Sequence, residues 1–372
     1  MKQTMNVLAC VAYPLGGITP SYRVGIERWQ PYLAQQGINI TYLCYTSPQL
    51  RAIKYQPGHY SRKIIAVLLN EIRFRHKVQQ VCFADFAVAI VLREATLVGP
   101  PWLERRLKHA GLPYIYHIDD PIFLPTQSRY TPLFSAARWP KKIAELCRDS
   151  AYVVAVNTTI ERYVHLLNPN CAVVPLGMLV DSTPTKHTYV LGQPPVIGWI
   201  GSAATCWYLS EIREALQRIQ QEYQCIIRVI GAAPDFRLPG VHLDLVAWDG
   251  ATEDERIRGF DVGINPTRID QWAMGKGSTK TLQYFVNGVP CVASPTGSNI
   301  EIIRHGHNAL LANTQDKWYD ALKKIFDHQS LRQQYGQAGR HEVEQRYNSA
   351  THATIIGDIM RFVAAKKNVC AE

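Results

Sequence analysis

Short apolar runs of strand length alternate with longer stretches whose apolar residues recur every three or four positions, and the alternation continues to about Thr314. Strand-length runs separated by helical patterns are the signature of parallel sheets built from β-α-β units. In the first half the pattern predicts strands at "NVLACVAY", "INITYLCY", "FAVAIVL", "PYIYHI", "YVVAVN" and "CAVVPLG". A second series follows at "PVIGWIG", "CIIRVIG", "HLDLVAW", "DVGINP" and "PCVAS". Beyond Thr314 the pattern is helical only. The expected class is α/β, with two similar parallel sheets.

At 372 residues the chain exceeds the size at which one hydrophobic core keeps growing, so two domains are expected. The polar, proline-containing stretch "DSTPTKHTYVLGQPP", 181–195, separates the two series and reads as a linker. This gives a Rossmann-like domain over 1–180, a second over 196–348, and a helix over 349–372 expected to pack back on the first.

Composition adds limits. With 47% apolar and 19% charged residues the chain is a folded globular protein. Nine cysteines, an odd number with no C-x-x-C pair and no zinc spacing, read as reduced residues of a cytoplasmic protein. The opening "MKQTMNVLACVAYPLGG" reads as a first strand, not a targeting segment. No apolar run reaches the ~18 residues of a membrane span. Any membrane contact is therefore expected to be peripheral, at the inner face.

The net charge of +10 favours anionic partners. Between Arg51 and Lys77 seven Lys or Arg (51, 54, 62, 63, 73, 75, 77) face one acid, Glu71. Within it "SRKIIAVLLNEIRFRHK" has two readings. It is a basic amphipathic helix resting on anionic lipid headgroups, or a domain helix with one buried face and a solvated basic edge, since a helix covering a sheet also carries an apolar stripe. Nucleic acid is not expected, because no aromatic-interleaved basic motif accompanies the charge.

Open α/β sheets bind ligands at the carboxyl ends of their strands, so chemistry is sought on strand-to-helix loops. Three loops carry it. "AYPLGGITPSYR" turns through Gly16 and Gly17 into a helix, which permits close backbone approach to an anion, although a plain tight turn fits equally. "YIYHIDDPIF" brings His117, Asp119 and Asp120 to the end of a strand; a histidine there can orient a reacting group, or be a structural histidine beside capping aspartates.

The third loop, "GKGSTKTLQYFVNGVPCVASPTG", 275–297, suggests a triphosphate loop, but Lys276 is followed by Gly277 and position 270 is Asp, so that pattern fails. Its own chemistry is a helix start with Ser278 as N-cap and Gly288 as C-terminal stop. The N–H groups of Gly277, Ser278 and Thr279, with Lys276 and Lys280, can hold a diphosphate without metal. Lys280 and Gln283 share a helix face. Neither G-x-G-x-x-G nor a convergent metal-ligand set is present, so no cofactor and no metal are expected.

Residues 261–312, from "DVGINPTRIDQWAMGKGSTKTLQYF" to "NALLA", resemble the retaining glycosyltransferases of family 4 (group 1), which have the GT-B fold. Weaker likenesses at "PLGGITPSYR", "LPYIYHIDDPIF", "VVPLGMLVD" and "IGWIGSAATCWYL" extend the resemblance over nearly the whole chain. It implies two Rossmann-like domains facing a cleft, the second holding a nucleotide diphospho-sugar and the first an acceptor. His117 sits where the family places a histidine near the transferred sugar, and Gly16 and Gly17 match its glycine loop. The family's two glutamates, eight positions apart, are here Gly275 and Gln283, and Ser202 stands where an arginine is usual. The G-K-x-x-x-K-x-x-Q arrangement resembles a divergent branch in which Lys276 and Lys280 serve the diphosphate and Gln283 bonds a ribose hydroxyl through its amide.

The expected activity is metal-independent sugar transfer from a nucleotide diphospho-sugar to a hydroxyl of a sugar, lipid-linked or other acceptor, in polysaccharide or glycoconjugate biosynthesis, with the retention of configuration that the resemblance implies. The alternatives are a non-catalytic nucleotide-sugar-binding protein and a sugar-nucleotide epimerase on the same scaffold.

Overall fold

A computed structural model describes residues 4–16, 19–54, 58–124 and 141–369, so Gly17 and the 55–57 part of the basic segment lie outside the described residues. The chain divides into two compact units, one containing the sequence up to Pro175 together with the stretch from Ala350 onward, the other Leu176–Ser349.

The first unit is a six-stranded parallel sheet of β1 (Met5–Val11), β2 (Ile38–Cys44), β3 (Val88–Leu92), β4 (Tyr114–Ile118), β5 (Tyr152–Ala155) and β6 (Cys171–Val173), in the order β2-β1-β3-β4-β5-β6. β3 and β4 are buried at every residue, which explains the unbroken apolar run of β3 and the run of β4 interrupted only by His117. Ile26, Trp29 and Leu33 of the helix Ile26–Gln35 join the core, as do Ile356, Met360 and Val363 of the helix Ser349–Val369.

The second unit repeats the plan with β7 (Val196–Ile200), β8 (Ile226–Ile230), β9 (Leu243–Val246), β10 (Val262–Asn265), β11 (Cys291–Ala293) and β12 (Leu310–Leu311), ordered β12-β11-β10-β7-β8-β9. The two residues of β12, paired with Val292 and Ala293, are too short to leave a pattern in the sequence. In each sheet the strand order reverses beside the first strand, between β1 and β3 and between β7 and β10. Such switch points open a crevice at the carboxyl ends of the strands, which picks out the same loops as the sequence.

Three expectations change. Residues 181–195 lie inside the second unit: Lys186 N donates to Asn287 O at 2.9 Å, Lys186 Nζ to Phe260 O at 2.7 Å, and the Tyr189 hydroxyl to Gly288 O at 3.0 Å. The polarity that suggested a linker serves to satisfy backbone groups at helix and strand ends. The segment "TRIDQWAMGKG" after β10, whose sequence reads as loop, contains the short helix Gln271–Met274, capped where Asp270 Oδ1 accepts from Ala273 N at 2.7 Å. The helix Tyr60–Gln79 buries Lys63, Asn70, Phe74 and Val78, and its apolar stripe is exposed. The helix does bury one face and leave its basic residues in solvent, but the buried face is that of Asn70, Phe74 and Val78 and not the aliphatic stripe.

Candidate functional site

In the second unit β7 runs into Gly201. A side chain there would meet the Trp199 ring at 2.4 Å and Lys280 Cε at 3.0 Å, so glycine is what lets both lie over the end of the strand. Lys280 Nζ stands 5.4 Å from the centre of the Trp199 ring, a cation–π distance, and Lys276 Nζ stands 5.8 Å from that of Tyr208. Gly231, at φ +80° beyond β8, permits the next close approach, since a side chain would meet Gly201 O at 2.3 Å. Ser202 is exposed and begins the turn into the 3-10 helix Cys206–Ile212, its carbonyl accepting from Thr205 N at 2.9 Å and Cys206 N at 3.1 Å.

The loop after β10 leads to the helix Thr279–Val286. Ser278 precedes it in the left-handed region (φ 51°, ψ 39°) and makes no side-chain cap bond. Its hydroxyl therefore does not perform the capping expected of it, and a non-glycine residue held at positive φ is a strained backbone of the kind found at ligand sites. A buried network fixes the position of this helix. Asn265 Nδ2 donates to Thr281 Oγ1 at 3.1 Å, Thr281 Oγ1 to Asn299 Oδ1 at 2.7 Å, and Asn299 Nδ2 to Ser294 O at 3.0 Å. Ser298 N donates to Lys276 O at 2.9 Å, and Gly297, at φ +53°, leaves room for the Lys276 and Ala273 carbonyls. Gly277, Ser278 and Thr279 are thus held at the start of an eight-residue helix between two half-buried lysines, an arrangement suited to a polyanion.

Gln283 is buried, and its amide Nε2 donates to Glu253 Oε1 at 2.7 Å, while Trp248 Nε1 donates to the other oxygen of that carboxylate. Gln283 thus lies against a carboxylate from thirty residues earlier in the chain. Nothing in the sequence linked Glu253 to Gln283.

In the first unit His117 is the last residue but one of β4 and 1% exposed, its ring edge-on to Trp29 with centres 5.3 Å apart. Burial, countered by Asp119 and reinforced by Arg93, lowers its pKa and favours the neutral imidazole. Its Nε2 has no hydrogen-bond partner among the described residues. Arg93, at φ 61° just beyond β3, organises the aspartates: Nε lies 3.2 Å from Asp119 Oδ1 and Nη2 3.0 Å from Asp120 Oδ2, while Nη1 donates to Ser21 Oγ at 2.9 Å. Although burial works against its charge, the two carboxylates hold the guanidinium firmly protonated. Arg93 and Ser21 were not singled out from the sequence; the position of Arg93 at the end of a switch-point strand was the available signal. Gly16, at φ +94°, makes the turn after β1, where Tyr22 OH accepts from Ala12 N at 2.9 Å. Glu161, His165 and Cys171 converge within 4.8 Å on the helix Thr158–His165 and β6, away from these loops.

Residues 194–328 match the family model described as "Glycosyl transferases group 1". No curated protein matches the sequence. Among solved structures, sucrose-phosphate synthase from Thermosynechococcus elongatus aligns with a TM-score of 0.70 at 13% identity, covering 98% of this chain and 100% of that one. HepE of Anabaena, in complex with UDP and glucose, aligns at 0.67 and 14%, covering 96% and 100%. The structure described as "Trehalose-6-phosphate from E. coli bound with UDP-2-fluoro glucose" aligns at 0.63 and 12%, covering 95% and 98%. At these identities the likeness concerns architecture, and it spans both units: two six-stranded parallel sheets with a helical C-terminal segment, the GT-B fold.

Proposed function

We propose that the protein is a glycosyltransferase that takes its sugar from a nucleotide diphospho-sugar, as in family 4, and passes it to an acceptor hydroxyl with retention of configuration and without a metal. The observation that carries this reading is the group 1 match over 194–328, which contains Ser202, Lys276, Gly277, Ser278, Thr279, Lys280 and Gln283. Departure of the sugar leaves negative charge on the diphosphate; a helix N-terminus flanked by Lys276 and Lys280 stabilises that charge and takes over what a metal would otherwise supply. Glu253, held by Gln283 and Trp248, is a carboxylate suited to a ribose hydroxyl.

On the first unit, the neutral His117, whose Nε2 has no hydrogen-bond partner among the described residues, orients the sugar or the acceptor. Asp119, neutralised by Arg93, suits positioning better than nucleophilic attack, which supports departure and attack on one face over a covalent intermediate. HepE binds UDP and glucose, so uridine diphosphate sugars are the first donors to test.

A thermal-unfolding screen of nucleotide diphospho-sugars tests the reading. At 100 times its Kd a true donor stabilises by about 2.7 kcal/mol, and Lys280→Ala abolishes most of that gain, whereas His117→Ala keeps binding and loses turnover. Binding with neither transfer nor donor hydrolysis across a broad acceptor panel would mark a binding protein. An altered sugar formed without any acceptor would mark an epimerase.

A further inference from the structure

The helix Tyr60–Gln79, about 30 Å long at 1.5 Å per residue, is set with a mixed face of Lys63, Asn70, Phe74 and Val78 inward. Asn70 fixes the rotation: its Oδ1 accepts from Ser47 N at 2.9 Å and its Nδ2 donates to Tyr45 O at 3.1 Å. Phe74 reinforces it, edge-on to Tyr45 and Trp102 with ring centres 5.1 and 5.8 Å away. This setting turns Ile65, Leu68, Leu69 and Ile72 outward as one ridge, with Leu68 58% and Ile72 65% exposed. Four large aliphatic side chains at helical spacing facing water are costly unless something covers them.

The charge around the ridge says what that something is. Arg62, Arg73, His76 and Lys77 are exposed on the same helix, and its one acid, Glu71, is paired with Arg75 at 2.9 Å. A second copy of this chain would bring its own cations against these and be repelled. A surface that is apolar beneath and anionic on top matches both features. We propose that this ridge docks on an anionic lipid leaflet, with Ile65, Leu68, Leu69 and Ile72 entering the acyl boundary and Arg62, Arg73 and Lys77 resting on headgroup phosphates. No helix among the described residues is long and apolar enough to cross a membrane, so this contact is interfacial.

Co-sedimentation of the full chain, without any sugar nucleotide, with vesicles of phosphatidylcholine alone or with about a third phosphatidylglycerol tests this independently of the transferase reading. Binding is expected only to the anionic vesicles. Leu68→Ser/Ile72→Ser should weaken it at least about tenfold at an unchanged melting temperature, since both side chains face solvent. Arg62→Ala/Arg73→Ala, an independent pair, should abolish the preference for anionic lipid. Absence of binding, or binding that neither pair alters, overturns the proposal. So does a concentration-dependent dimer in sedimentation velocity that Leu68→Ser/Ile72→Ser dissolves, because the ridge would then be covered by a second copy.

Discussion

His117 makes one buried side chain into a pH sensor of stability. Desolvation holds its folded pKa below the ordinary 6.5, with Asp119 pulling it up and Arg93 pushing it further down. Above about 6.5 both folded and unfolded chains carry it neutral. As pH falls below that value the unfolded chain takes up a proton that the folded chain refuses, so stability declines until the folded group also protonates. Glu104 acts in the opposite sense: its burial raises the carboxyl pKa, and the stability it contributes is lost as pH rises above its ordinary 4.5. A comparison with His117→Gln separates the two. Between about pH 7.5 and 5.5 the denaturant midpoint of the wild type should fall more than that of the variant. Equal slopes would mean that the imidazole is not held neutral by the fold.

At the scale of elements, the contact between the helices Thr279–Val286 and Glu253–Arg258 explains why position 283 is not a glutamate. Gln283 supplies the hydrogen that Glu253 accepts at 2.7 Å with both residues buried, so Gln283→Glu would set two carboxylates against each other. One must then take up a proton. The variant should lose about 1–3 kcal/mol near neutral pH, less in acid, and the exchange Gln283→Glu/Glu253→Gln should recover most of it in a double-mutant cycle. A neutral single change, or an exchange that restores nothing, would separate the two helices energetically. Periodicity made the strands β1–β11 legible: central strands such as β3 are buried on both faces and apolar throughout, and the partly exposed edge strands β2, β6 and β9 still stand out as short runs between helical patterns. It could not reveal β12, with only two residues, nor the rotation of Tyr60–Gln79, where Asn70 and Phe74 outweigh an aliphatic stripe. Among the site residues, the lysines and the helix start of 276–280 were readable because a cation–glycine–hydroxyl cluster has local chemistry. The Glu253 partner of Gln283 and the Arg93 clamp on Asp119 and Asp120 were not, since each joins residues more than twenty positions apart.

On the scale of the whole molecule, the first unit is completed by chain that is synthesised after the second. Its core includes Ile356 and Met360, each fully buried, and Val363 at 1% exposure, all from the helix Ser349–Val369. Lys367 Nζ reaches Phe86 O at 3.1 Å, and Arg361 Nη2 reaches Gln36 O at 3.4 Å. At about 1.5–3 kcal/mol for each fully buried aliphatic side chain, these three contribute roughly 5–9 kcal/mol, comparable with the ~5–15 kcal/mol that keeps a domain folded. The second unit draws on a separate core, built from Ile197, Trp199, Leu216, Ile227, Val262 and their neighbours, with nothing from that helix. A chain ending at Ser349 should therefore lose the fold of the first unit and keep that of the second. Calorimetry should lose one component of the unfolding endotherm, and proteolysis mapped by mass spectrometry should cut within 4–175 while sparing 176–349. Nucleotide should still stabilise what remains, because Lys276, Lys280 and Glu253 all belong to the second unit. Met360→Ala, at about 2–5 kcal/mol, should weaken the first unit in the same direction without removing any chain. Protection of 4–175 in the truncated protein would show instead that the sheet β2-β1-β3-β4-β5-β6 can close its core without the final helix.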